Sequence, residues 1–170
     1  MSIILVGFMG SGKTTVAKAL TADYIDLDCL IEQEMKMSIS DYFTQNGEAR
    51  FRELESKLLM QYVFDDVVIA TGGGIVESKQ NRRQLQEVQN VVYLSGDLMT
   101  LVERMKEDKN NVRPLANQGF DVLKARYEKR KPWYEEVANF TLNVGDKSPE
   151  QLAEEILNWQ ALKKRKINNL

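Results

Sequence analysis

Gly7-Phe8-Met9-Gly10-Ser11-Gly12-Lys13-Thr14 is the stretch whose reading decides how this chain is built. It fits the pattern G-x-x-x-x-G-K-[ST], follows the apolar run Ile3 to Val6, and precedes Thr15, Val16, Ala19 and Leu20, whose spacing is helical. Glycines let consecutive N–H groups point inward, and the helix N-terminus adds partial positive charge where phosphate oxygens would sit. In such a cradle Lys13 reaches the β- and γ-phosphates and Thr14 offers its hydroxyl to Mg²⁺. A glycine-rich turn that merely joins strand to helix is the competing reading. The pattern arises by chance in roughly one of 150 to 200 chains of this length, before the strand and helix are required.

Outward from the cradle, short apolar runs recur at Tyr24 to Leu27, Val67 to Ala70, Val91 to Leu94 and Phe140 to Val144. Each is β-branched or aromatic in flavour and bounded by turn residues, so each reads as a strand. Stretches of 3.6-residue periodicity lie between them, which argues for a mostly parallel sheet covered on both faces. Ser38 with Asp41 resembles a capping box whose helix Gly47 closes, and Ser148-Pro149-Glu150-Gln151 marks the start of another. The polar run from Lys106 to Asn117 reads as a surface loop.

The 170 residues suit one domain that buries roughly 70% of the surface its unfolded form exposes. No run approaches the twenty or so apolar residues of a membrane span, and the opening lacks the basic region of a secretory signal, so a cytoplasmic protein is expected. With no His and Cys29 as the one cysteine, imidazole bases, disulfides within the chain and Cys-based zinc cages are excluded. Cys29 is expected as a small buried packing residue. The net charge of −2 includes +4 from Lys163, Lys164, Arg165 and Lys166, so the rest carries −6 and nucleic acid is an improbable partner. The basic tail reads as a solvated helix end.

Asp26 and Asp28 lie two apart at the end of the second run, so strand alternation puts both carboxylates on one face. Carboxyl strand ends form the ligand crevice of such sheets, so the pair faces the γ-phosphate position. One acid can hold water on a metal ion while the other accepts a hydrogen bond from an attacking hydroxyl. Gly72-Gly73-Gly74 follows the third run and can press backbone N–H groups against a small anion or hydroxyl. Arg50, Arg52, Glu53 and Glu55 occupy a helix with Glu48 and Arg52 paired at i,i+4, a solvated face by default.

The cradle, Asp26-Leu27-Asp28, Phe51-Arg52-Glu53-Leu54-Glu55, Gly72-Gly73-Gly74, Arg113-Pro114-Leu115 and Lys129-Arg130-Lys131-Pro132-Trp133-Tyr134 together resemble, in order, the motif set of the shikimate kinases. The resemblance runs from about residue 2 to 144. It implies a three-layer α/β/α P-loop kinase fold with strand order 2-3-1-4-5, one domain over 1–170, a substrate-binding helical segment at about 29–62 and a lid at about 106–117. The implied reaction is ATP-dependent phosphorylation of the 3-hydroxyl of shikimate, by a monomer that uses Mg²⁺ and engages neither nucleic acid nor membrane.

Carried over by motif position, Gly10, Ser11, Gly12, Lys13, Thr14 and Thr15 bind the nucleotide, with Arg104 stacked on adenine. Thr14 and, through water, Asp26 serve the metal. Asp28, Arg52, Gly73, Gly74 and Arg130 bind the acid, the two arginines taking its carboxylate. Lys13, Asp28 and Arg113 form the catalytic set, with Arg113 reaching the transferred phosphate from the lid. The connection from Ala19 to Tyr24 is a few residues shorter than usual in the family, so the first helix or its loop must be trimmed. Two other functions fit parts of the pattern: a kinase of another small metabolite, which would not need both Arg52 and Arg130, and an ATP-binding module without transfer.

Overall fold

All five apolar runs become strands: β1 (Ile3–Val6), β2 (Tyr24–Asp26), β3 (Val68–Ala70), β4 (Val91–Ser95) and β5 (Phe140–Asn143). The computed structural model describes residues 2–107 and 119–168. Within these the strands form one parallel sheet in the order β2-β3-β1-β4-β5, the order the resemblance implies. The residues of β1 and β3 are all buried, as continuous Val/Ile/Leu runs covered on two faces should be, whereas the edge strands β2 and β5 are part-exposed.

Helices fill the connections: α1 (Lys13–Leu20), α2 (Leu27–Met35), α3 (Ile39–Tyr62), α4 (Lys79–Glu87), α5 (Leu98–Glu107), α6 (Phe120–Val137) and α7 (Pro149–Asn168). α1 packs on α7, and α4 packs on α6, giving the outer layers of an α/β/α stack. At eight residues α1 is short, and Tyr24 opens β2 three residues after its Thr21 cap, so the trimming falls on helix and loop alike. Ser148 Oγ accepts from Gln151 N at 3.2 Å while Gln151 Oε1 accepts from Ser148 N at 2.8 Å, the reciprocal cap expected for α7. Ser38 Oγ accepts from Asp41 N at 3.1 Å and caps α3, and Gly47, at φ 80° and ψ 169°, breaks that helix in two.

Three expectations need correction. Asp28 does not share a strand face with Asp26, because β2 ends at Asp26, whose Oδ1 accepts from Cys29 N at 3.1 Å and caps α2. Asp28 therefore stands in the first turn of a helix. Cys29 is exposed and not buried, since Leu27 and Ile31, four apart, take the inward face and Cys29 falls opposite. Lys106 and Glu107 form the last turn of α5 and are not loop; 108–118, the rest of the proposed lid and Arg113 with it, lie outside the described residues. The basic run at 163–166 lies within α7, where Lys163 donates to Gln89 O and sits 5.4 Å from the Trp159 ring centroid.

Candidate active site

The cradle owes its shape to backbone conformations that only glycine adopts without strain. Gly10 and Gly12 have φ of 79° and 83°, and Gly12 precedes α1 without any side-chain cap. No acidic residue occupies the first turn of α1, so its N-terminal N–H groups and dipole are left to an anion. Lys13 is buried against the loop, donating to Gly7 O at 2.8 Å and Phe8 O at 3.1 Å. Those carbonyls hold the ammonium where phosphate oxygens would replace them.

A cavity of about 350 Å³ opens over this loop. Gly10, Ser11, Gly12, Lys13, Thr14 and Thr15 line it, together with Asp26, Asp28, Thr71 and Arg104. The parallel register puts Asp26 beside Ala70 and Ala70 beside Leu5, so the acids, Thr71 and the cradle share one sheet edge. Thr14 Oγ1 donates to Asp26 Oδ2 at 2.6 Å, bringing the two expected metal-side groups together. Arg104 Nη2 donates to Gly145 O at 2.6 Å, which holds its guanidinium at the rim beside Lys147 and Pro149.

Arg52 and Arg130 do not line that cavity; they meet at the neighbouring triple-glycine turn. A Cβ on Gly72 would lie 2.7 Å from Asp28 Oδ1, one on Gly74 would lie 2.5 Å from Arg52 Nη1, and one on Gly73 would lie 3.6 Å from Arg130 Nη1. Any larger residue at 72 or 74 would push these groups aside. The same Gly73 position is 3.5 Å from Met9 N, so the turn and the cradle adjoin. Tyr134, wholly buried, donates its hydroxyl to Gly73 O, and Phe8 meets Tyr127 edge-on at 5.4 Å. Thus α6 braces both loops.

The charges around the turn are paired unevenly. Glu55 is 1% exposed and takes Arg52 Nη1 with both oxygens, at 2.9 and 2.7 Å. Burial, aided by the charge of Asp28, pushes its carboxyl up to about 7 against the pull of Arg52 and Arg130. Glu48 pairs with Arg52 Nη2 at 3.5 Å, as its spacing predicted. Arg52 Nε is buried with no hydrogen-bond partner. An acceptor is missing from one edge of this guanidinium, and a ligand carboxylate would supply it.

Sequence reasoning missed Glu55 as a buried partner and Glu77 altogether. The first had a signal, its i,i+3 spacing from Arg52. The second had none, since Glu77 Oε1 meets Arg130 Nε at 2.9 Å across 53 residues.

Comparison with known proteins agrees with this geometry. The sequence model of the family described as shikimate kinase matches residues 9–161. A shikimate kinase of Lactococcus lactis subsp. lactis is 49% identical over 156 residues, covering 92% of this chain and 96% of its own. One of Enterococcus faecalis is 41% identical over 161 residues, with 92% and 96% covered. The solved shikimate kinase from Acinetobacter baumannii, in complex with shikimate, superposes with a TM-score of 0.86 at 34% identity, covering 96% of this chain and 94% of that one. On its sequence, its sheet order and its cradle alike, this chain belongs to the shikimate kinase family.

Proposed function

We propose that this protein, as a single kinase domain, transfers the γ-phosphoryl group of ATP to the 3-hydroxyl of shikimate, giving shikimate 3-phosphate and ADP. The observation that carries the reading is the triple-glycine turn, where Asp28, Arg52 and Arg130 from three helices converge beside the cradle. A small hydroxylated acid needs a carboxylate anchor at one end and a hydroxyl acceptor at the other. Arg52 and Arg130 provide the anchor and Asp28, shared with the phosphate cavity, provides the acceptor.

The hydroxyl oxygen attacks the γ-phosphorus, the bond from that phosphorus to the bridging oxygen of ADP breaks, and the hydroxyl proton passes toward Asp28. Positioning accounts for most of the rate, because charge in a loose transition state is spread over the γ-oxygens. Lys13 exchanges the carbonyls of Gly7 and Phe8 for phosphate oxygens, while the N–H groups of Gly10 to Thr15 cradle the rest. Arg104, at the cavity rim, would stack on the base. Arg113, outside the described residues, completes the catalytic set by its place in the sequence motif.

The metal side fits Mg²⁺. Among the described residues no cluster of three or more His, Cys, Asp or Glu side chains could hold an ion, whereas the touching pair Thr14 and Asp26 suits a cation that keeps several waters and shares phosphate oxygens. Bound with ATP, Mg²⁺ would neutralise charge on the β- and γ-oxygens. Thr14 would contact it directly and Asp26 through water. No helix among the described residues is long and apolar enough to cross a membrane. The protein is proposed to act on small molecules as a cytoplasmic monomer. ADP release from Mg-ATP is the test, with shikimate, gluconate, a nucleoside monophosphate or no acceptor. Release that requires shikimate is expected, and release indifferent to it would discard the proposal.

A further inference from the structure

Glu77 ends the short 3-10 turn, Ile75–Glu77, that follows the three glycines, and both its oxygens face α6. Oε1 accepts from Arg130 Nε at 2.9 Å and Oε2 from Lys129 Nζ at 3.0 Å. The turn is fixed from behind. Glu77 N donates to Gly74 O at 2.9 Å, and Arg82 Nη1 donates to Val76 O at 2.7 Å. The Arg82 guanidinium in turn lies 4.6 Å from the Trp133 ring centroid on α6. The carboxylate therefore belongs to the same rigid piece of chain as the glycines against which the acid would lie.

A bond at Nε grips Arg130 by one edge and sets the plane of its guanidinium. The Nη nitrogens, which carry the fork that matches a carboxylate, are then aimed by that bond, and Nη1 comes to lie beside Gly73. Arg130 is buried, so its orientation is decided by its partners and not by solvent. Arg126, one turn earlier on α6, has a buried Nη1 without a partner, and burial and the charge of Arg130 both disfavour its cation while Glu77 favours it. Glu77 pairs with Lys129 and Arg130, and its charge, like that of Glu48, also favours the Arg126 cation. The bond at Nε keeps Arg130 from turning away from its like-charged neighbour.

We infer that Glu77 is a positioning residue, holding the Arg130 guanidinium in the orientation that receives the substrate carboxylate. This deepens the function proposed above and rests on it. The unaltered protein is assayed first. No shikimate-dependent ADP release would overturn both readings, whereas release with an unchanged shikimate KM in the Glu77 variants would overturn this one alone. Glu77→Ala should raise the shikimate KM about tenfold or more, with kcat and the ATP KM changing less than about threefold. Glu77→Gln keeps an oxygen that can accept from Nε and should recover part of the loss. In an Arg130→Ala background the Glu77 substitutions should add nothing; additive losses there would also overturn the assignment. If Glu77→Ala fails to fold, the Gln variant and its cycle with Arg130→Ala give the same decision.

Discussion

The cradle and the proposed acid-binding turn sit side by side yet are made in opposite ways. The cradle is eight consecutive residues whose recognition groups are backbone N–H, shaped by Gly10 and Gly12 and joined by one charged side chain, Lys13. The turn offers almost no side chain of its own; its chemistry comes from Asp28, Arg52 and Arg130, each delivered by a different helix and two of them clasped by carboxylates. A phosphate site built from main chain is set once the loop folds. A carboxylate site built from guanidinium groups is set only when tertiary partners hold each one in place.

That contrast can be broken by experiment. Lys13→Met should lower kcat by about 10²- to 10³-fold, as loss of one aimed cation does, while the shikimate KM stays nearly constant. A comparable rise in shikimate KM would show that the two regions are not separate. Arg52→Ala should act the other way, raising the shikimate KM by roughly 10- to 150-fold, the loss of about 1.5 to 3 kcal/mol of charge-assisted bonding, and sparing the ATP KM. Gly74→Ala should weaken shikimate binding about tenfold, because its methyl would occupy space now held by Arg52. Normal shikimate saturation in that variant would mean Arg52 moves without consequence.

Glu55→Gln sharpens the comparison through pH. With its carboxyl held at about 7 in the fold and about 4.3 unfolded, the folded chain binds the extra proton across that window. Glu55 therefore contributes stability below its unfolded value that is lost as pH rises through about 7. Denaturant unfolding should show the wild type losing on the order of 1 to 3 kcal/mol, relative to Glu55→Gln, between about pH 4.5 and 7.5. A constant difference between the two would show that Arg52 fully compensates the buried charge.

The same contrast explains what could be read before the fold was seen. Residues 7–14 announce a phosphate site because spacing along the chain is itself the geometry. The sheet order and the motif residues followed from resemblance, since residues 24–27, 67–70 and 91–94 alone give strands but not neighbours. Asp28 was placed on the wrong element because strand alternation competes with capping, and Asp26 as a cap won. Arg52 was visible, but not that its partner Glu55 would be shut away from water. Burial depends on tertiary packing, and the charges that Glu55 feels from Asp28 and Arg130 likewise arrive from elsewhere in the sequence. Glu77 could be found only in three dimensions.

The C-terminal helix has a consequence for biosynthesis. α7 backs α1, its Leu152 and Pro149 wall the nucleotide cavity, and Gln160 Nε2 donates to Ser2 O at 3.1 Å. Translation makes the phosphate loop first, and that loop lacks its backing until α7 has left the ribosome. Nucleotide capture should thus follow the emergence of α7, and truncation at Asp146 should silence ATP binding without touching a single P-loop residue.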